Sequence, residues 1–99
     1  MPDIPAILVG TWEKMDEPPC AATYPFVLQI DERGFYNGRA KIPGEFVLWD
    51  DGTVRQLDPD KLAISTANDA VVTYRFRVED DTIEFTTRDG CVFKYRRTR

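Results

Sequence analysis

The sequence predicts an all-β protein, an eight-stranded antiparallel up-and-down β-barrel with little or no helix. Clusters rich in Asp, Gly and Pro recur about every ten residues, as expected of turns between short strands. Between them lie runs of Val, Ile, Phe, Tyr and Thr that alternate with period two, for example over residues 72–78. Short alternating segments separated by regular turns are typical of a sandwich or a barrel.

The number of strands follows from the closure of the barrel. Nine segments look like strands, but an up-and-down barrel that pairs its first strand antiparallel to its last needs an even number. We therefore assign residues 62–66, between Asp58-Pro59-Asp60 and residues 67–69, to a long connection. The remaining eight strands are expected to begin near residues 8, 25, 35, 45, 53, 71, 82 and 91.

Turn positions predict the register of the C-terminal strands. A three-residue hairpin at residues 88–90, with Gly90 in the left-handed region, places Phe85 opposite Phe93. The preceding turn then places Phe76 opposite Phe85. Residues directly opposite in an antiparallel pair share a face, so these three strands present one inward aromatic surface.

The same reasoning applies to the hairpin at residues 32–34, which pairs Phe26 with Ala40 and Leu28 with Gly38. Through the turn at residues 43–44, the next strand is expected to point Phe46 and Leu48 inward. It then points Val47 and Trp49 outward.

Composition limits the class of protein. Ninety-nine residues with 42% hydrophobic content suffice for a single domain spanning residues 1–99. A net charge of −4 repels phosphate backbones, so we expect no nucleic acid partner, and we interpret the basic residues 94–99 as strand wall and solvated end. The sequence shows neither a membrane span nor, at Met1-Pro2-Asp3, a secretory signal, and this predicts a cytoplasmic protein.

The two cysteines and the lack of histidine restrict the chemistry. A reducing cytoplasm favours free thiols at Cys20 and Cys91, although barrel closure brings the two close enough for the alternative, a disulfide. Without histidine, the chain cannot use imidazole for zinc, haem, Ser-His or Cys-His chemistry. We accordingly predict no catalytic residue, no metal site and no cofactor.

Gly10-Thr11-Trp12, preceded by the apolar residues 4–9 and matched by Arg96-Arg97 on the last strand, resembles the signature of the calycin superfamily. More narrowly, the opening is similar to that of small bacterial lipocalin-like domains. The resemblance implies that Trp12 lies inside the closed end of the barrel and that Arg97 packs across it. Gly10 is expected to let the backbone bend there.

The resemblance also implies a lipocalin-like binding protein for a small hydrophobic or amphipathic molecule held near the open end. Small residues at Gly38 and Ala40, on a bulky inward face, mark where a cavity opens. The alternative is a solid core in which the phenylalanines fill that space. The predicted ligand-binding residues are Phe26, Leu28, Ala40, Phe46, Tyr74, Phe76, Phe85, Cys91 and Phe93.

An outward-facing Trp49 beside Val47 predicts a contact surface, including a homodimer through that face. In the alternative register, the N-terminal segment covers Trp49. A protein-protein interaction or inhibitor module with a solid barrel is therefore the second functional hypothesis. A calycin-type enzyme is the third.

Overall fold

The computed structural model describes residues 6–16 and 18–98, so residues 1–5, 17 and 99, which include Ile4 and Pro5 of the apolar opening, lie outside it. Within the described part, the chain forms an eight-stranded closed antiparallel barrel in the order β1 to β8. The strands are β1 Gly10–Lys14, β2 Val27–Ile30, β3 Phe35–Arg39, β4 Asp51–Asp58, β5 Lys61–Ser65, β6 Val71–Glu79, β7 Thr82–Thr86 and β8 Val92–Arg97. Two short 3₁₀ helices, Ala6–Leu8 and Pro19–Ala21, precede β1 and β2.

Each strand pairs with its neighbours in sequence, and β1 closes the barrel by pairing with β8. At the closing seam Trp12 lies opposite Arg97 and Lys14 opposite Tyr95. A closed barrel leaves few unpaired strand edges, which removes the main route by which sheets aggregate. The predicted fold class is confirmed.

The hairpin registers predicted from the turns are also confirmed. Phe85 pairs with Phe93 across β7 and β8, and Phe76 pairs with Phe85 across β6 and β7. Leu28 pairs with Gly38 across β2 and β3. That ladder ends at Val27 and Arg39, one residue short of the predicted Phe26–Ala40 pair, and Phe26 N–H donates to Arg39 O at 2.9 Å.

One of the eight predicted wall strands was assigned to the wrong segment. Residues 61–65 form β5 and pair with both β4 and β6, whereas residues 45–50 contain no strand. Asp58-Pro59-Asp60 is a tight turn rather than part of a long connection, because proline favours the second position of such turns. Leu62 and Ile64 alternate inward as a wall strand requires.

The side chains of residues 46–49 therefore do not have the predicted orientation. Phe46, expected inside, is 63% exposed, whereas Val47 and Trp49, expected outside, are buried. Leu48 is half-buried against the core. Its N–H donates to Thr23 O at 2.6 Å, and its carbonyl accepts from Ala67 N–H at 2.7 Å. These bonds to the β1–β2 and β5–β6 loops hold the segment, which turns into the barrel mouth instead of continuing the wall.

Gly38 allows that inward turn. A Cβ on Gly38 would lie 1.9 Å from the carbonyl oxygen of Trp49 and 2.9 Å from the ring of Pro25. Gly38 thus makes room for the backbone of Trp49 rather than opening a cavity.

We predict that Gly38→Ala destabilises the fold by about 3 kcal/mol, because the added methyl forces the Trp49 backbone out of place. Urea unfolding followed by intrinsic fluorescence measures the change. Gly44→Asn is the control: nothing lies within 4 Å of its Cβ, and asparagine tolerates its positive φ of +92°, so it should cost less than about 1 kcal/mol. Equal losses for both variants would contradict this role of Gly38.

Candidate functional site: the barrel mouth and outer wall

The closed end of the barrel is built around Trp12, whose side chain is fully buried. Its Nε1–H donates to Leu8 O at 3.0 Å, and the guanidinium of Arg97 lies 4.4 Å from the ring centroid. Arg97 also donates to the carbonyls of Ile7 and Val9, which fixes the segment entering β1. A cation over an indole contributes about 0.5–2 kcal/mol, depending on desolvation. Trp12 and Arg97 thus lie opposite each other at the closing seam, with the guanidinium over the indole ring.

Gly10 bends the chain as it enters β1. Its φ of +144° is a conformation that residues with a side chain rarely adopt. The bend lets residues 6–9 fold back under Trp12. There the carbonyl of Leu8 accepts from Trp12, and the carbonyls of Ile7 and Val9 accept from Arg97. The role predicted for Gly10 thus agrees with its backbone conformation.

Trp49 occupies the opposite, open end of the barrel. Its indole ring lies 4.7 Å from the ring of Tyr24, 5.0 Å from that of Tyr74 and 5.0 Å from that of Phe85, in edge contacts. Such contacts between aromatic rings are favourable beyond the area they bury. Its Nε1–H donates to the hydroxyl of Tyr74 at 3.3 Å, so the polar group of the indole is satisfied inside the core.

The loop between β1 and β2 also folds into the mouth. Tyr24 stacks on Phe93 with centroids 4.4 Å apart and donates to the Tyr74 hydroxyl at 3.3 Å. Lys14, at the end of β1, is buried and donates from Nζ to Ala21 O at 2.9 Å and Tyr24 O at 2.8 Å. The rim is thus held by hydrogen bonds that start inside the barrel.

The predicted ligand-binding residues fall into two groups in the described part of the chain. Leu28, Tyr74, Phe76, Phe85 and Phe93 are buried, as expected, but they pack in one core with Trp49. Four further residues differ from the expectation: Phe26 and Ala40 are half-buried at the rim, Phe46 is exposed, and Cys91 is bonded to Cys20.

Lys14, Tyr24 and Trp49 are among the interior residues that sequence reasoning missed. Alternation would have placed Lys14 inward, beside Trp12, but lysine at a core position argues against such a reading. Tyr24 lies in a loop, where alternation gives no information. Trp49 was misplaced because its segment was interpreted as wall strand.

The cysteines form a disulfide, with Cα atoms 5.9 Å apart, and the expectation of two free thiols was wrong. Barrel closure brings the start of β8 beside the end of β1, which is the proximity that the sequence indicated. The bond joins the β1–β2 loop to the turn before β8. Neither cysteine in the described part of the chain is free.

Three buried tyrosines, Tyr24, Tyr36 and Tyr95, are neutral hydrogen-bond donors. Burial raises the pKa of Tyr24 well above its ordinary value, and the hydrogen bond with Tyr74 adds to the rise. Burial likewise raises the pKa of Tyr95, whose hydroxyl donates to Pro25 O at 2.6 Å. The pKa of Tyr36 is raised by burial and by the nearby Asp50 charge, and its hydroxyl donates to Ser65 O. These phenols therefore hold the fold and do not serve as bases at neutral pH.

Apolar side chains are exposed on the rim loop, which we define as residues 40–50. Ile42 is 60% exposed and Phe46 63% exposed, and they flank a turn in which Glu45 N–H donates to Ile42 O at 3.2 Å. In the same loop, the Lys41 ammonium lies 5.3 Å from the ring centroid of half-buried Phe26. The loop thus turns one aromatic residue, Trp49, into the core and another, Phe46, to solvent.

No family model, curated protein or solved structure matched this chain in three comparisons with known proteins. The calycin relationship therefore stays a resemblance carried by Gly10, Trp12 and Arg97. Within residues 6–16 and 18–98, no group of three or more Cys, Asp or Glu side chains is placed to hold a metal ion. The same residues contain no helix capable of spanning a bilayer.

We predict that replacing both cysteines, as Cys20→Ser with Cys91→Ser, lowers the free energy of unfolding by about 4 kcal/mol, because a cross-link over a long loop restricts the unfolded chain. Guanidinium unfolding of the parent, with and without dithiothreitol, measures the same loss. The double variant is the control, since reductant should leave its transition unchanged. A parent midpoint that is insensitive to reductant would rule out a stabilising disulfide.

Proposed function

We propose that this protein is a protein-binding module with a solid barrel, which contacts its partner through the rim loop. The observation that carries the proposal is the position of Trp49. Its ring fills the space between Tyr24, Tyr74 and Phe85 that an interior ligand would need. The interaction-module hypothesis is therefore better supported than the lipocalin-like carrier.

The rim loop has the composition of a contact surface. Exposed aromatic and aliphatic side chains on a loop held by a rigid scaffold are common in recognition sites. Ile42 and Phe46 supply the apolar contacts, while Lys41 and Glu45 supply the polar surroundings typical of an interface rim. Val47 and Trp49 of the same loop are buried and anchor it to the core.

The other hypotheses receive less support. A small hydrophobic ligand inside the barrel remains a prediction that requires Trp49 to leave the core. A homodimer through an exposed Trp49 has lost its proposed surface, and self-association would have to use Ile42 and Phe46 instead. The enzyme hypothesis finds no support in Tyr24 and Tyr95, which are protonated and hydrogen-bonded.

We also infer that the protein works in an oxidising compartment. The Cys20–Cys91 bond supports this location, because disulfides persist in secreted and periplasmic proteins and are rare in the cytosol. The cytoplasmic location expected from the sequence remains the alternative. A partner met through the rim loop would then lie outside the cytosol.

The solid interior predicts that the protein does not bind apolar molecules inside the barrel. Titration with oleate and with methylindole should produce no saturable change in tryptophan fluorescence or in the melting temperature. Trp49→Ala is the positive control, because removing the indole leaves a cavity that methylindole can fill and so raises the melting temperature of that variant. Saturable binding of either compound to the parent would favour the carrier hypothesis.

The rim-loop contact predicts that Phe46→Ser weakens partner binding at least about tenfold, the loss expected when an aromatic anchor is removed. Proteins captured from an extracytoplasmic extract of the source cells by the parent would be identified and their Kd values measured with each purified variant. Phe35→Ser is the matched control, since Phe35 is 49% exposed on β3 outside the rim loop. A partner whose Kd does not respond to Phe46→Ser, or responds equally to Phe35→Ser, would contradict the proposal.

A further inference from the structure

A cleft of about 710 Å³ separates the start of β6 from the turn between β7 and β8 on the barrel wall. It is lined by Val71, Thr73 and Arg75 of β6, Lys61 of β5, and Thr86 and Arg88 of the opposite side. The cleft arises because β6 starts at Val71 but pairs with β7 only from Arg75 onward. Its first four residues pair with β5 alone.

The backbone of β6 faces this cleft with unpaired groups. Phe76 N–H donates to Asp60 O at 2.9 Å, toward β5, and the peptide groups of successive residues point to opposite sides of a strand. Thr73 and Val71 therefore direct their N–H and C=O groups into the cleft. The β6–β7 ladder does not extend to these residues, and no backbone hydrogen bond from a turn or loop of the described chain reaches them.

The opposite wall does not supply the missing partner because β7 ends at Thr86, where its ladder with β6 also stops. Beyond it, Thr87 N–H donates to Cys91 O at 2.9 Å, and Gly90 N–H donates to Thr87 O at 3.1 Å. Both bonds lie within the β7–β8 hairpin and leave β6 unpaired. Continuing the register would place Arg88 opposite Thr73.

The cleft is positively charged although the protein is acidic overall. Lys61 and Arg75 lie directly opposite each other on β5 and β6, an arrangement that is unfavourable for like charges. Lys61 forms an ion pair with Asp58 at 3.7 Å. Neither Arg75 nor Arg88 forms an ion pair within the described residues.

The carboxylates nearest in sequence do not neutralise the two arginines. Asp89 accepts a hydrogen bond from the Thr87 hydroxyl, and Asp58 faces Lys61. Asp60 contributes its backbone carbonyl to β6. The cleft therefore combines a strand edge that lacks hydrogen-bond partners with two arginines that form no ion pair within the described residues.

We propose that this cleft binds an extended acidic segment of a partner protein, which adds as a strand to the free edge of β6. Strand addition uses main-chain hydrogen bonds for affinity and alternate side chains for specificity. The peptide's N–H and C=O groups pair with Thr73 and Val71. Its Asp or Glu side chains lie over Arg75 and Arg88, whose forked guanidinium groups suit carboxylates.

The chemistry of the edge selects this occupant over two others. A nucleic acid backbone supplies acceptors but no N–H donors, so it would leave the carbonyls of Val71 and Thr73 unpaired. A second copy of this chain, paired edge to edge, would bring its own Arg75 and Arg88 into the cleft and incur charge repulsion. An acidic peptide satisfies both the edge and the charge.

This inference rests on the proposed function only in that the outer surface binds protein, and it uses no residue of the rim loop. Phe46→Ser should accordingly leave peptide binding unchanged. Failure of the rim-loop proposal and failure of the cleft proposal can then be told apart.

Fluorescence polarisation with a fluorescein-labelled peptide of alternating Val and Glu tests the proposal. We expect saturable binding that weakens about tenfold or more in Arg88→Glu and in Arg75→Glu. Arg33→Glu is the matched control, because it makes the same charge change at an exposed turn elsewhere and should leave the Kd within about twofold. Melting temperatures verify that each variant is folded.

The contribution of the strand edge is tested separately from charge. The same peptide with every backbone amide nitrogen methylated keeps its carboxylates but has no N–H to donate from either edge, and we expect binding to be lost. Thr73→Pro removes the edge donor from the protein side, and it should fold because that N–H has no partner within the barrel. Should it unfold, the methylated peptide alone decides this point.

Several results would overturn the inference. No saturable binding of the Val-Glu peptide up to about 1 mM, or equal binding of a Val-Lys peptide, would refute acidic recognition. Equal binding of the methylated peptide would refute strand addition. Equal competition by oligothymidylate would indicate a general anion surface, and a peptide Kd unaffected by both arginine variants would place the binding elsewhere.

Discussion

The aromatic contacts of Trp49 inside the barrel mouth are the constraint on which the rest of the structure depends. The interior of an eight-stranded barrel is just wide enough to be filled by side chains, and here a loop supplies one of the two largest. Placing Trp49 against Tyr74 and Phe85 requires the backbone to pass close to Gly38, which explains the small residue there. The same turn of the chain leaves Phe46 outside. One loop therefore fills the interior and presents the exposed apolar surface.

The sequence was most informative where neighbouring strands are joined by short turns. Register in a hairpin follows from the turn, so the pairing of Leu28 with Gly38 and of Phe85 with Phe93 could be derived from local patterns alone. Closure between β1 and β8 is non-local; it was assumed from the regular pattern of short strands, and the resemblance carried by Trp12 and Arg97 gave it separate support. The number of strands then followed from closure.

The candidate site could not be predicted to the same extent, for two physical reasons. Residues 45–50 and 61–65 have similar alternation, and only tertiary pairing distinguishes a wall strand from a segment folded into the mouth. Once a segment leaves the wall, the rule that assigns alternate side chains to opposite faces no longer applies. The orientations expected for Phe46 and Trp49 are therefore reversed in the structure. The disulfide illustrates the second reason. Proximity of Cys20 and Cys91 was evident from closure, but the redox state was inferred from an assumed compartment.

The cleft beside β6 has a physical explanation that links it to the disulfide. A barrel normally loses its free edges by closure, so an unpaired stretch persists only if the adjacent turn is prevented from collapsing onto it. Cys91 accepts the Thr87 N–H and is bonded to Cys20, which fixes the β7–β8 turn from the side away from β6. The remaining edge is exposed to unwanted pairing, and the positive charges of Arg75 and Arg88 oppose pairing with another copy of the same edge. In the proposed role of the cleft, the same two arginines that repel an identical edge would attract an acidic strand, so the charge that protects this edge from pairing with itself also favours the proposed partner.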